Sequence, residues 1–133
     1  MSHVKQFTAG NLTVNAAMAS AVQQDELLSL LSASLLSRAA NANQLGAGMG
    51  DKILVPFFLS MPQQLKKQVV SLLTERVVIA GSETPVSVKD FSGKMIEWNT
   101  LLSQLILWNL EGFFLWLDDA VRSVSPAQEE QAV

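Results

Sequence analysis

Apolar residues recur at helical spacing along most of the chain. Ser20 and Gln23 match a capping box, which predicts a first helix beginning there. Its apolar face would be formed by Leu27, Leu28, Leu31 and Leu35. Residues 51–59 are apolar enough for a short buried helix, although Pro56 costs an interior helix about 3 kcal/mol. A second capping pattern at Ser60 predicts a third helix, reaching about residue 76.

Two segments carry turn residues flanked by strand-forming ones. Residues 7–14 surround a Gly10-Asn11 turn and predict a hairpin or an edge strand. Residues 77–88, VVIAGSETPVSV, are two short runs around a four-residue turn and predict a small β-hairpin between helices. The segment 46–50, with three glycines, is expected to be a flexible joint.

The last helix, predicted over about 91–124 with Asp90 as its cap, has the widest apolar surface. One narrow polar stripe, expected to face solvent, contains Glu97, Thr100, Gln104, Glu111, Asp118 and Arg122. Opposite this stripe lie Trp98, Leu102, Leu105, Ile106, Leu110, Phe113, Trp116 and Leu117, and its flanks carry Leu107, Trp108, Phe114 and Leu115. This apolar surface is wider than the roughly 100° apolar stripe of an ordinary surface helix. A second side of the helix is therefore expected to be buried, either by the rest of the domain or by another chain.

Two amides, Asn99 and Asn109, fall inside the apolar arc of this helix. Burying an unpaired amide costs about 1–3 kcal/mol, so each is expected to hydrogen-bond, most simply to backbone.

These elements predict a mainly α protein. We expect a single small helical domain over 1–124, with about four helices and a hairpin at 77–88 before a long C-terminal helix. Residues 1–19 are expected to be partly extended and weakly structured, and 125–133 to form a flexible polar tail. With 133 residues, 49% of them hydrophobic and 16% charged, the chain can build one core.

Composition narrows the function classes. A net charge of −3 with nine scattered Lys and Arg leaves no basic face for nucleic acid. The chain has no cysteine, its first ten residues lack the apolar core of a signal peptide, and polar residues interrupt its most apolar stretch, 101–117. These features favour a cytoplasmic protein without a membrane span.

Candidate chemistry is sparse. His3 is the only histidine and lies near the terminus, so no histidine-based triad or metal site is expected. Residues 46–52 imitate a phosphate loop, but Asp51 stands where the Gly-Lys-Ser/Thr sequence is needed. The carboxylate pairs 118–119 and 129–130 lie on a polar helix stripe and in a polar tail, so we expect them to be solvated surface charges. We therefore expect no enzymatic activity and no cofactor or metal.

The order of features resembles a known family. After 77–88 come Asp90-Phe91-Ser92-Gly93 and then the sequence LLSQLILWNLEGFF over 101–114. With Thr84-Pro85-Val86 after the turn and Asn109 before the Phe113-Phe114 pair, this order resembles the tail assembly chaperones of long-tailed siphophages, which are encoded upstream of the tape measure gene. The likeness covers about residues 7–117 and carries no single diagnostic motif.

That resemblance implies a protein of the bacterial host cytoplasm, encoded by a phage or prophage and absent from the mature virion. Its implied partners are the tape measure protein, which it keeps soluble, and the tail tube protein, recruited through a longer form made by translational frameshifting. Self-association is a further possibility. The hypothesis for the partner-binding surface is Leu107, Trp108, Phe114 and Leu115 on the flanks of the long helix.

Three other interpretations stay open. A bacterial secretion chaperone or an immunity-type protein would share the small size, acidity and lack of cysteine. An enzyme with a novel site would need a buried ionisable cluster, and a structural tail subunit would remain in the virion.

Overall fold

The computed structural model describes residues 4–44 and 51–120, with side chains described for 4–37 and 54–120. The predicted joint at 46–50, the tail at 125–133, His3, Arg122 and the pair 129–130 lie outside the described residues. The strands are β1 (Val4–Ala9), β2 (Leu12–Ala17) and β3 (Val77–Ile79). The helices are α1 (Ala21–Gln44), α2 (Asp51–Leu59), α3 (Gln63–Thr74), α4 (Met95–Asn109) and α5 (Glu111–Ala120), with a 3-10 turn at Val88–Phe91.

The predicted mainly α fold is wrong, because the described residues form a mixed α/β structure. Five helices accompany one antiparallel sheet in the order β1-β2-β3. The hairpin of this sheet is N-terminal, rather than directly before a long C-terminal helix.

Strands β1 and β2 are joined by the turn at Gly10-Asn11. Gly10 has φ 62°, and no described non-glycine residue has a positive φ, which is the pattern of a type II′ hairpin turn. Phe7 pairs with Val14 in this hairpin. Alternate residues of both strands (Phe7, Ala9, Val14 and Ala16) are buried in the core. Because two of these four inward residues are alanines, the alternation is weak in the sequence.

The predicted hairpin over 77–88 is replaced by a different arrangement. Val77–Ile79 pairs with β2, and the second arm is reduced to a single bridge between Val78 and Pro85. Proline has no N–H for a strand ladder, and the chain then turns into the 3-10 segment. There the Ser87 N–H donates to Asp90 Oδ2 over 2.9 Å, so Asp90 caps this turn and not the last helix.

The predicted long helix is interrupted twice. Gly93 has φ 74°, so α4 begins only at Met95. Leu110, with φ −115° and ψ 32°, then separates α4 from α5, and the two helices meet at a bend of 82°. No single helix of the described residues is long and apolar enough to cross a membrane, whereas α4 and α5 together would qualify by length and composition alone despite their bend.

Helix α4 lies at the centre of the core. Leu101, Leu102, Leu105 and Ile106 have no solvent exposure. They belong to one buried cluster with apolar residues of the sheet and the other helices, including Val14, Leu27, Leu31, Leu35, Leu54, Phe58, Val69 and Val77. A helix that packs against both a sheet and other helices needs apolar residues on several sides. This packing accounts for much of the wide apolar surface of α4.

Helix starts follow the predicted caps in one case and not in the other. The capping box before α1 is confirmed, because the Ser20 N–H donates to Gln23 Oε1 over 3.0 Å and the Gln23 N–H donates to Ser20 Oγ over 3.2 Å. Ser60 instead donates back to Pro56 O over 3.0 Å, and Pro62 precedes α3 without a side-chain cap.

Candidate functional site

A groove of about 440 Å³ lies between strand β1 and the C-terminal half of α4. We call it the β1–α4 groove, and it is lined by Lys5, Gln6, Phe7, Thr8, Gln104, Leu107, Trp108 and Glu111. Two of these residues, Leu107 and Trp108, belong to the partner-binding surface predicted from the sequence. Both are half-buried.

The apolar wall of this groove is anchored by aromatic packing. The ring of Trp108 meets the ring of Phe7 edge to face, with centroids 5.5 Å apart. Phe7 is buried in the core, so its contact restrains the Trp108 indole on the core side. Trp108 therefore offers a fixed, partly exposed aromatic surface rather than a loose side chain.

The other wall is the open edge of the sheet. Ala80 donates to Thr13 O and Ala17 donates to Arg76 O, so the odd-numbered residues of β2 bond towards β3. The even-numbered residues of β2 consequently bond towards β1, where Val14 pairs with Phe7. This leaves the backbone groups of Gln6 and Thr8 pointing away from β2, with no strand of the described residues paired to them.

Two residues of the predicted polar stripe, Gln104 and Glu111, line this groove, and the stripe is not fully solvated. A Cβ atom on Gly10 would lie 3.3 Å from Glu97 Cγ, so the β1–β2 turn covers the start of the stripe. Farther along, the Oε1 atom of Gln104 is buried and has no hydrogen-bond partner among the described residues. An unsatisfied buried acceptor costs about 1–3 kcal/mol, which a ligand donor would relieve.

Helix α5, whose first residue Glu111 lines the groove, carries two large exposed apolar side chains. Leu115 is 66% exposed and Trp116 is 59% exposed. The ring of Trp116 lies 6.0 Å from that of the half-buried Phe113. Leu115 follows Glu111, which lines the groove, by one helical turn on the same face. Phe113, Leu115 and Trp116 together are called the α5 patch.

The bend at Leu110 changes which residues of this region face solvent. Phe114, predicted on the exposed flank, is 7% exposed and packs in the core. Trp116, predicted on the core side, is exposed. A helical wheel drawn through 91–124 assumes one axis, and the 82° bend between α4 and α5 invalidates it beyond residue 110.

Asn109 lies at the bend between α4 and α5 and makes two hydrogen bonds there. Its Nδ2 donates to Leu105 O over 2.9 Å, and its Oδ1 accepts the Ala19 N–H over 2.8 Å. Asn99 likewise donates to Met95 O over 2.7 Å, so the backbone hydrogen bonds predicted for both amides are confirmed. Asn109 thereby ties the α4–α5 bend to the segment between β2 and α1.

Sequence reasoning missed the strand side of the site and Trp116. The Gly10-Asn11 turn could have placed Lys5, Gln6 and Thr8 on a strand, but nothing local indicates which edge of that strand stays open. The exposure of Trp116 depends on the bend, which no pattern in the sequence specified.

The arrangement has features suited to binding a protein segment. Within residues 4–44 and 51–120, no group of three His, Cys, Asp or Glu could hold a metal ion. An open strand edge, a fixed indole and an exposed apolar helix face are features that protein segments bind. In comparisons with known proteins, no family model, no curated protein and no solved structure matches this chain.

Proposed function

We propose that this protein binds another protein through the α5 patch and the adjoining β1–α4 groove. The observation that carries the proposal is the exposure of Leu115 and Trp116, two large apolar side chains one after the other on α5. Large exposed apolar residues that lie together, unlike scattered single ones, mark interaction surfaces. Tryptophan is also among the residues that dominate binding energy at interfaces.

The specific function we propose is that of a phage tail assembly chaperone. Its client is the tape measure protein, which it would keep soluble in the host cytoplasm before tube subunits assemble. Support comes from the sequence resemblance over about 7–117 and from an apolar surface of the kind that shields apolar stretches of a long client. A longer frameshifted form would recruit tail tube protein, and neither form would remain in the virion.

The test is co-expression with the protein encoded by the gene immediately downstream, followed by size exclusion. We expect a long helical client to stay soluble and to elute with several copies of this chain. The variant Leu115→Gln/Trp116→Gln should lose the client because its apolar contact is removed. A matched control is Leu36→Gln, which alters a 44% exposed leucine on α1 and should retain the client.

The outcomes separate the interpretations. A double variant that keeps the wild-type circular dichroism spectrum and still holds the client would remove the α5 patch from the interface. A downstream product that is soluble and ignores the wild-type chain would favour a secretion chaperone or an immunity-type protein instead. Detection of the chain in purified virions by mass spectrometry would indicate a structural tail subunit.

A further inference from the structure

A second groove lies between α3 and the N-terminal half of α4, formed by none of the α5 residues. Its volume is about 410 Å³, and we call it the α3–α4 groove. It is lined by Gln63, Lys66, Lys67, Val70, Ser71, Val88, Met95 and Trp98. Val88 and Met95 are 47% and 42% exposed, so apolar side chains of this groove are open to a ligand.

A lysine is held at the wall of the groove by a buried amide. The Lys66 ammonium donates to Asn99 Oδ1 over 2.6 Å. Asn99 is 2% exposed, and its own Nδ2 is fixed by Met95 O. An ammonium has three N–H donors, so two remain for another acceptor. Asn99 is therefore a positioning residue that aims a cation at the groove.

The charge of Lys66 is not balanced within the described residues. Its one side-chain hydrogen bond there is to the neutral amide of Asn99, and no described carboxylate is paired with it. Burial lowers the pKa of the Lys66 ammonium below its ordinary value. A carboxylate brought by a partner would offset this desolvation cost.

The charged lining of the groove is opposite in sign to the protein as a whole. Lys66 and Lys67 are the charged residues that line it, in a chain of net charge −3. A cationic rim beside an apolar floor selects for a ligand that is both anionic and apolar. Both walls are helical or 3-10 segments, which offer no open strand edge for an extended peptide.

We propose that the α3–α4 groove binds an acidic amphipathic helix of a partner protein. An apolar side chain of that helix would rest against Trp98 and Met95, and a carboxylate about one turn away would bind Lys66. This surface is separate from the α5 patch and would give the chain a second binding function beyond client shielding. The two surfaces could then be occupied at the same time by different segments.

The experiment uses the full chain and a synthetic amphipathic helical peptide with leucines at positions i, i+4 and i+7 and flanking glutamates. An isosteric peptide carries glutamine in place of each glutamate. By fluorescence anisotropy we expect the glutamate peptide to bind roughly fivefold more tightly or better, with the difference shrinking as salt rises. Lys66→Gln should abolish the preference, whereas Lys5→Gln, which removes one positive charge from the other groove, should retain it.

Two further measurements keep the proposal open to contradiction. Met95→Glu adds a carboxylate at an exposed groove position and should repel the glutamate peptide. This variant tests the proposal even if the Lys66→Gln variant fails to fold. The Leu115→Gln/Trp116→Gln variant should still prefer the glutamate peptide, which separates this groove from the proposed function. Equal affinity for the two peptides, loss of binding only in the α5 patch variant, or occupation of the groove by decanoate but not by the peptide would overturn the proposal.

Discussion

At the residue scale, two buried asparagines organise much of what surrounds α4. Asn109 accepts the Ala19 N–H and so connects the end of the sheet hairpin to the α4–α5 bend. Asn99 accepts from Lys66 and so fixes a cation at the α3–α4 groove. Each amide also donates to the carbonyl four residues earlier, and its role is therefore to join its own helix to a neighbouring segment.

We expect Asn109→Ala to destabilise the protein by about 1–3 kcal/mol, because the buried Ala19 N–H loses its acceptor. The free energy of unfolding from urea titration measures this effect. Asn15→Ala is the matched control, since its side chain makes an exposed bond with Gln6, and it should change stability by less than about 0.5 kcal/mol. Equal losses in both variants would show that the Ala19 contact contributes nothing special.

At the element scale, strand β1 has no partner on its outer edge among residues 4–44 and 51–120. Gln6 and Thr8 direct their backbone groups away from β2, whereas Phe7 pairs inward with Val14. Proteins limit the hazard of an open edge with short strands and charged residues, and β1 has six residues and an exposed Lys5. This edge therefore suits a specific partner segment better than uncontrolled strand addition.

Amide hydrogen exchange tests the edge directly. The N–H groups of Gln6 and Thr8 should exchange much faster than that of Phe7, because only Phe7 bonds to β2. Exchange followed residue by residue by NMR gives the comparison within one strand. Protection of Gln6 and Thr8 equal to that of Phe7 would mean that another segment or another copy covers this edge.

Two glycine substitutions should have opposite effects on stability. Gly10→Ala places a side chain at φ 62° in the hairpin turn and should cost about 1–2 kcal/mol. Gly112→Ala lies in α5, with nothing within 4 Å of the added Cβ, and should raise stability by up to about 1 kcal/mol. Thermal unfolding of both variants provides the check. A gain in stability for Gly10→Ala would contradict the type II′ turn.

At the scale of the whole molecule, the protein combines one core with two separate surfaces that we propose bind partners. The core, centred on α4, fixes the relative position of sheet and helices. The α5 patch is apolar, and the adjoining β1–α4 groove combines apolar and polar side chains along an open strand edge. The α3–α4 groove is apolar with two lysines. This division would allow one small chain to hold a client and a second partner together.

The lowered pKa of Lys66 can be tested by measuring the stability of the protein at alkaline pH. The chain contains no cysteine and no tyrosine, which removes those groups from alkaline titrations. Burial lowers the pKa of Lys66 in the folded state, so the folded protein loses this proton before the unfolded chain does. Between that lowered pKa and the ordinary lysine value of about 10.4, the unfolded state binds more protons, and stability rises with pH.

We therefore expect Lys66→Met to remove part of the gain in unfolding free energy as pH increases towards the ordinary lysine value. Gln63→Met, which changes a neutral residue lining the same groove, should keep that gain. Urea titrations at a series of pH values supply the three curves. Parallel curves for the wild type and Lys66→Met would contradict a desolvated ammonium at this position.

Features that depend on neighbours along the chain can be predicted from the amino-acid sequence. The capping box at Ser20 and Gln23, the extent of the helix at 51–59, the turn at Gly10-Asn11 and the need of Asn99 and Asn109 for backbone partners could all be predicted. Each of these follows from contacts within about four residues or from the cost of burying an amide.

The strand pairing of the sheet and the bend between α4 and α5 are visible only in the tertiary structure. Val77–Ile79 could pair either with 85–88 or with a strand about 60 residues earlier in the chain. In the folded protein it pairs with that earlier strand, and Val77 and Val14 are buried in the same core cluster. The break at Leu110 lies next to the hydrogen bond between Asn109 and Ala19, which are 90 residues apart. Periodicity assumes a continuous axis and carries no information about such distant partners, which is why it assigned Phe114 to the surface and Trp116 to the core.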